Sequence, residues 1–351
     1  MQRSRLSRGL VLAGLALAVF WGLGEILARS FHLVDRLNGF PRRLYVASDD
    51  REIPYRLRPG LEDIARGVPV RVNEFGLRGP EVSAAPRGDT RRILALGDSV
   101  TFGYRMREDE IFPTLLAERL REATGREYEV LNAGVEGYNT RTELAVLRET
   151  GFALAPHTVV LALNLNDYDD TPVLGSMGIL TLDHEERISR WSLANLSEFW
   201  LLLKWLGSTG GRVWVGETPA APDPDTPTPA FNDFDRYISA LRKRYWAAPD
   251  DERMDAMRAA LRAIRDETAA RGIRLLVAIL PDGDQIGVAE PDLAPQERME
   301  RICSEENLDC LDLLPAFEAA ADRPLFLDIM HPNGHGHRII ADEVAARLEP
   351  R

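Results

Sequence analysis

With 351 residues, 45% of them apolar and 28% charged, the chain has the make-up of a globular protein with a sizeable core, and one α/β domain with additions fits that length. A formal net charge of −12 argues against the basic patch or stripe of a nucleic-acid binder, so no nucleic-acid partner is expected. Acidity also aids solubility and identifies no partner by itself.

The N-terminus carries the first strong pattern. Arg3, Arg5 and Arg8 precede GLVLAGLALAVFWGLG, an uncharged run from Gly9 to Gly24 that continues through Glu25 to Leu27. That makes about nineteen residues, near the length a helix needs to span a bilayer. Basic residues ahead of it favour a cytoplasmic N-terminus. A cleaved secretory signal is the competing reading, but Leu27-Ala28-Arg29-Ser30 is a poor small-x-small cleavage site. The reading carried forward is a retained single-pass anchor with the rest of the chain outside the cytoplasm, on the periplasmic or cell-surface side.

Residues 31–88 are mixed and turn-rich. Alternation in VPVRVN, followed by Gly76 and Gly79, predicts a small hairpin or extended arm within Val68–Glu81. From Arg91 strands and helices alternate. Strands are expected at Ile93–Leu96, Val130–Leu131, Thr158–Leu165, Ile273–Leu280 and Leu308–Leu313. Helical spacing covers Phe112–Leu120, Glu143–Leu154, Met254–Ala270, Glu297–Glu306 and Gly334–Leu348. The run TVVLALNL suits a strand buried on both faces. Residues 170–250 interrupt the rhythm with the apolar FWLLLKWL at Phe199–Leu206 and the Pro-rich TPAAPDPDTPTP at Thr218–Pro229. Cys303 and Cys310 should lie on a helix and the following strand. An oxidising compartment permits their disulfide, and two separately buried thiols are the alternative.

This order predicts a three-layer α/β fold: a flavodoxin-like parallel sheet of about five strands with helices on both faces, plus the N-terminal transmembrane helix. In such sheets the ligand site lies beyond the carboxyl ends of the strands. Polar and glycine positions gather there. Ser99 follows the first strand in LALGDSVTFG, Gly134 the second in VLNAGV, and Asn166 the third in LALNLND. Asp328 and His331 follow the fifth in LFLDIMHPNGHGH. A serine hydroxyl needs a base to take its proton, and His331 can be that base with Asp328 orienting its other ring nitrogen. The backbone N–H groups of Ser99 and Gly134 and the Asn166 carboxamide are candidate donors to an oxyanion. Each piece alone has a bland reading as a turn or cap; their common order at strand ends does not.

These segments resemble the blocks of the SGNH/GDSL hydrolase superfamily: GDSV at 97–100, the glycine of NAGV at 134, NLND at 164–167 and DIMH at 328–331. The resemblance covers about residues 89–349 and implies a serine esterase or acyl hydrolase working through an acyl-enzyme. Ser99 would be its nucleophile, Asp328 and His331 its partners, and Ser99, Gly134 and Asn166 its oxyanion hole. NEFGLRGPE, followed by RRILALGDSVTFGY, is similar to a membrane-anchored bacterial subgroup. The implied partition is a cytoplasmic 1–8, an anchor at 9–27, an extracytoplasmic linker or hairpin arm at 28–88, and a hydrolase domain at 89–350 with its insertion at about 170–250.

One departure counts. The third block usually reads G-x-N-D, and Asn164 stands at the glycine position, where an effect on backbone approach or pocket shape is expected. Thr101 occupies the last position of a G-x-S-x-G elbow, which disfavours the α/β-hydrolases. His331, His335 and His337 form an H-x-x-x-H-x-H cluster, and Asp167, Asp169 and Asp170 an acidic one. His337 reads as structural and the aspartates as a capping or solvated loop, so neither cofactor nor metal is expected. The substrate would be an ester-bearing small molecule, glycan or lipid, possible forms including an O-acetyl group on a cell-surface glycan. An O-acetyltransferase, a lipid-acting esterase and a catalytically silent scaffold are the alternatives.

Overall fold

The computed structural model describes residues 2–31, 33, 42–169, 171–174, 180–181, 197–208, 239–240, 242, 244–248 and 251–349. The Pro-rich stretch, most of the 170–250 interruption and Asp170 lie outside the described residues.

The chain opens with helix α1 (Gln2–Ser30), whose Val11–Ser30 segment is long and apolar enough to cross a membrane, judged by length and composition. Two antiparallel hairpins form an arm, β1 (Tyr45–Ala47) with β2 (Tyr55–Leu57) and β3 (Glu62–Ala65) with β4 (Val68–Arg71). Next come β5 (Arg91–Gly97), α2 (Ser99–Phe102), α3 (Phe112–Thr124), β6 (Tyr128–Asn132), α4 (Thr140–Val146) and β7 (Thr158–Leu163). A two-residue pair, β8 (Val173–Leu174) and β9 (Leu180–Thr181), precedes α5 (Glu198–Ser208). The rest is α6 (Glu252–Ala269), β10 (Arg274–Ile279), α7 (Ala294–Glu305), β11 (Cys310–Asp312), α8 (Leu314–Ala319) and α9 (Gly334–Leu348).

Five strands build one parallel sheet in the order β11-β10-β7-β5-β6. The winding direction reverses between β5 and β7, the place where such sheets open a crevice at their carboxyl edge. Burial on both faces explains why β7 is apolar without alternation. Val159, Leu161 and Leu163 pack with Leu144 of α4, Met257 and Leu261 of α6 and Met299 of α7. Their neighbours Val160 and Ala162 pack on the other face with Phe112 and Leu116 of α3, Phe317 of α8 and Ile340 of α9. Removing each such Val or Leu side chain from water stabilises the fold by about 1.5–3 kcal/mol.

The expected strands and helices are found, with shifted ends. The region 143–154 is a composite: α4 gives way to a π-type turn at Leu147–Gly151 and a 3₁₀ turn at Phe152–Leu154. The arm differs from the sequence expectation in register. Its hairpin turn lies at Arg66-Gly67, ahead of the expected segment, where positive φ values of 52° and 85° suit a two-residue turn. Only one of the four β3 residues is buried, so no apolar alternation marked that strand. Cys303 on α7 and Cys310 on β11 are joined in a disulfide with Cα atoms 6.2 Å apart, which decides between the two readings of the pair. Closing so short a loop stabilises by about 2–3 kcal/mol in the chain-entropy account.

Candidate active site

Ser99 is the first residue of α2, directly beyond β5, and is 6% exposed. Asp98 caps that helix, its carboxylate accepting from the Val100 N–H at 2.9 Å. From the next strand, Gly134 presses on the same turn. A Cβ there would overlap the Phe102 nitrogen and the Thr101 carbonyl carbon, so close packing on α2 is what demands glycine. Asn166 lies in the turn that follows β7.

The fifth strand ends at Asp312, and Asp328 and His331 come later, beyond α8. A bridge between Phe326 and Pro332 closes a loop in which the Leu327 N–H donates to the His331 carbonyl at 2.8 Å. Asp328 Oδ1 accepts from the backbone N–H of Met330 at 3.0 Å and of His331 at 2.9 Å. One turn thereby presents carboxylate and imidazole together. His331 Nδ1 lies 2.8 Å from Asp328 Oδ2, and His331 Nε2 lies 2.9 Å from Ser99 Oγ. Burial alone would raise the Asp328 carboxyl. The adjoining imidazole and the two backbone donors outweigh it and hold the group at about 2, ionised throughout the neutral range. In this arrangement Nδ1 donates to Asp328 and Nε2 accepts from the hydroxyl, the tautomer a general base requires.

Among the candidate oxyanion donors, the Gly134 N–H donates to the Asn132 carboxamide oxygen at 3.0 Å. The Asn166 carboxamide oxygen is buried and has no hydrogen-bond partner among the described residues. Asn164, the departure from G-x-N-D, is a tie between blocks. Its Nδ2 donates to Asp98 Oδ2 at 3.2 Å while its backbone N–H donates to Asp167 at 3.1 Å.

Several residues beside these were not legible in the sequence. The Tyr104 ring stacks on the His331 ring, with centroids 4.1 Å apart and 21° between planes. Arg66, at the tip of the β3–β4 hairpin, sets its guanidinium 4.6 Å from the Tyr104 centroid and pairs with Glu136 at 2.8 Å. The buried Arg78 of NEFGLRGPE donates to the carbonyls of Phe102, Gly103 and Met106 at 2.6–2.8 Å, bracing the end of α2. Arg242 forms a buried pair with Asp282 at 2.7 Å and reaches Met330 Sδ at 3.6 Å. Nearby, Trp246 Nε1 donates to the Leu165 carbonyl at 3.0 Å, and Tyr245 stacks on Tyr168. The described end of the interruption therefore supports both the Asn166 turn and the His331 turn. Each contact joins residues far apart in sequence without periodicity, leaving no local signal to read, although Arg78 stands in NEFGLRGPE and Tyr104 closes RRILALGDSVTFGY.

Below the turn of Ser99 lie buried carboxyl groups. Burial pushes Glu143 and Asp167 well above the usual carboxylate range, aided by their mutual repulsion with Asp98, itself raised by burial. Both Glu143 oxygens lack hydrogen-bond partners among the described residues. His337 is a core histidine whose Nδ1 accepts from the Phe112 N–H at 3.2 Å, and burial lowers it to about 3. Among the described residues no group of three His, Cys, Asp or Glu side chains is placed to hold a metal.

A sequence model of the GDSL-like lipase/acylhydrolase family matches residues 95–339. An arylesterase from Vibrio mimicus is 34% identical over 86 residues, an alignment covering 24% of this chain and 42% of that enzyme. The chain thus matches less than half the length of this curated relative. Among solved structures, an acetyl xylan esterase aligns at 17% identity and TM-score 0.42, over 74% of this chain and 100% of that one. A catalytic mutant of an acetylxylan esterase from Geobacillus stearothermophilus aligns at 15% identity and TM-score 0.44, over 74% and 95% of the two chains.

Proposed function

Because the chain belongs to the GDSL-like lipase/acylhydrolase family and is a hydrolase of ester bonds, we propose that it is a membrane-anchored esterase working through an acyl-enzyme on Ser99. The observation that carries this reading is the unbroken line from Asp328 through His331 to the Ser99 hydroxyl, with contacts of 2.8 and 2.9 Å. His331 Nε2 takes the hydroxyl proton as Oγ attacks the ester carbonyl, and the ionised Asp328 stabilises the imidazolium that forms. The same imidazolium returns its proton to the departing alkoxide, which leaves as an alcohol. Water, deprotonated by His331, then releases the acid and frees Ser99. The tetrahedral oxyanion falls to the Ser99 and Gly134 N–H groups and the Asn166 amide, the Gly134 donor being shared with Asn132 until substrate arrives.

For the compartment, the arginines ahead of α1 favour a cytoplasmic N-terminus, and the Cys303–Cys310 bond fits an oxidising space for everything after the helix. The proposed substrate class at that location is an O-acyl ester, with an O-acetyl group on a cell-surface glycan as the leading candidate. The test is a screen of the full chain with nitrophenyl esters of graded acyl length, alongside fluorophosphonate labelling. Preference for acetyl with Ser99-dependent labelling is the expected result. Preference for long acyl chains would replace the glycan reading by a lipid ester, and a wild-type protein that neither labels nor turns over would overturn the esterase reading.

A further inference from the structure

Helix α1 does not stand apart from the folded domain. Its C-terminal half docks on the first turn of α5, and the contact is built from a charge that an apolar span should not contain. Glu25 receives three hydrogen bonds from the N-terminus of α5: from the Ser197 hydroxyl at 2.8 Å, the Phe199 N–H at 3.0 Å and the Glu198 N–H at 3.1 Å. Arg29, one turn on, adds an ion pair. A carboxylate within a membrane span is costly unless so satisfied, and the start of a helix offers free N–H donors. Around it, Phe199 meets Phe20 and Trp21 edge-on at 5.5 and 5.4 Å, and Trp200 stacks on Trp21 at 6.3 Å. Gly24 lets the rings in, since a Cβ there would stand 2.6 Å from the Phe199 ring.

Depth follows from helix geometry. Val11–Ser30 is 20 residues long, about 30 Å of helix, the thickness of a bilayer's hydrocarbon core. Gly24 is six residues from Ser30 and three from Leu27, where the anchor read from the sequence ends, so Phe199 meets α1 about 5–9 Å inside the apolar span. On the anchor reading of α1, the first turn of α5 then sits at the membrane surface. Phe199, Leu203 and Leu206 follow the i, i+4, i+7 spacing of one helix face, and beyond Phe199 that face is exposed, with Leu203 and Leu206 each 38% accessible. Leu201 on the opposite side is fully buried in the arm's core with residues such as Leu44, Tyr55 and Val135.

We propose that α5 is an interfacial helix: its Phe199–Leu206 face lies in the bilayer surface as a continuation of α1, and Glu25 locks the two helices so that arm and catalytic domain rest on the membrane. This rests on the anchor reading of α1. It narrows the substrate class to esters presented at the membrane surface, because the domain cannot swing away on a tether. The occupant of the leucine face is lipid, by continuity with the α1 surface, whose large apolar side chains from Val11 to Ile26 are mostly more than half exposed.

The test uses the full chain in phosphatidylcholine–phosphatidylglycerol vesicles. The natural cysteines are bonded to each other, so an introduced cysteine is the single free thiol. Nitroxide labels at Leu17→Cys, Leu203→Cys, Leu206→Cys and, as an aqueous reference, Asp322→Cys are compared for collision with oxygen and with a water-soluble nickel chelate. Fluorophosphonate labelling checks that each variant is folded. Oxygen should dominate at 17, 203 and 206 and nickel at 322. In Glu25→Ala, positions 203 and 206 should become several-fold more accessible to nickel while 17 does not change. Nickel dominance at 203 and 206 with oxygen dominance at 17 overturns the proposal and leaves the anchor standing. Nickel dominance at 17 overturns the anchor reading itself. Dipolar broadening between labels at 203 would place a second copy of the chain on this face, and that too overturns it. If Glu25→Ala leaves 203 and 206 unmoved, the lock is wrong.

Discussion

Two regions meet at His331, and they are built by different means. From one side comes the carboxyl edge of the sheet, where β5, β6 and β7 end in the turns carrying Ser99, Gly134 and Asn166. From the other comes the arm, whose hairpin tip places Arg66 on Tyr104, which covers the imidazole. At the sheet edge, positions follow from backbone topology: parallel strands in register must release their next residues side by side. In the arm, position follows from single side chains reaching across unrelated turns. The first arrangement brings Ser99, Gly134 and Asn166 to one edge, and the second lays a stacked ring against His331, which on the proposed reading holds the base towards the hydroxyl.

The comparison breaks most visibly at the sheet edge. Ser99→Ala should abolish fluorophosphonate labelling and nearly all esterase turnover, and His331→Ala should come close to the same loss. Asp328→Asn should cost about 10⁴ in kcat by favouring the wrong tautomer. Asn166→Ala should cost on the order of 10²–10³ in kcat with the nucleophile still reactive to the probe, the usual loss for one oxyanion donor. All four proteins should melt near the wild-type temperature. A folded Ser99→Ala enzyme with wild-type turnover would remove the nucleophile assignment.

The arm should respond on a smaller scale. Tyr104→Leu removes a stacked aromatic pair of about 0.5–1.5 kcal/mol, equivalent to a loss of about two- to tenfold in kcat. Tyr104→Phe, which keeps the ring, should stay close to wild type. Arg66→Ala should act through the same contact, so that Arg66→Ala and Tyr104→Leu combined lose less than the product of the single losses. Steady-state kinetics of the four proteins decide it. Strict multiplicativity would show that arm and base are independent.

The smallest effect sharpens the contrast beneath the site and concerns stability alone. Glu143 has its carboxyl group raised well above the ordinary range in the folded state, against about 4.3 when unfolded. Between those two values the folded protein binds the proton and the unfolded chain does not, so stability falls as pH rises through that window. Glu143→Gln removes this dependence. Its melting temperature should exceed that of wild type at pH 8, with the gap shrinking towards pH 4; a gap that widened on acidification would mean the wild-type group is ionised in the fold.

Much of the molecule was legible before any coordinate. Strand and helix alternation from Arg91 onward predicted the sheet, because burial on two faces writes itself into local runs such as TVVLAL. The same alternation sets Ser99, Gly134 and Asn166 just beyond strand ends, while Asp328 and His331 come well after the end of β11, past α8. A shared edge of parallel strands brings the first three together, whereas Asp328 and His331 reach them through the loop closed by the Phe326–Pro332 bridge. At Gly134 the sequence marks a glycine at a strand end, and the structure shows that the close approach of α2 requires it. Backbone spacing predicts a close approach and does not say which partner makes it.

What the sequence determined by itself was therefore whatever is encoded over a few residues: hydrophobic period, turn chemistry, the apolar length of α1, and reactive residue types at element ends. Tertiary structure alone decided the contacts that join distant segments. It paired Cys303 with Cys310, turned Asn164 into a tie to Asp98, set Tyr104 against His331, brought Arg242 to Asp282 and laid Glu25 at the start of α5. Such contacts depend on how packed elements happen to aim their longest side chains, and no period in the sequence records that direction.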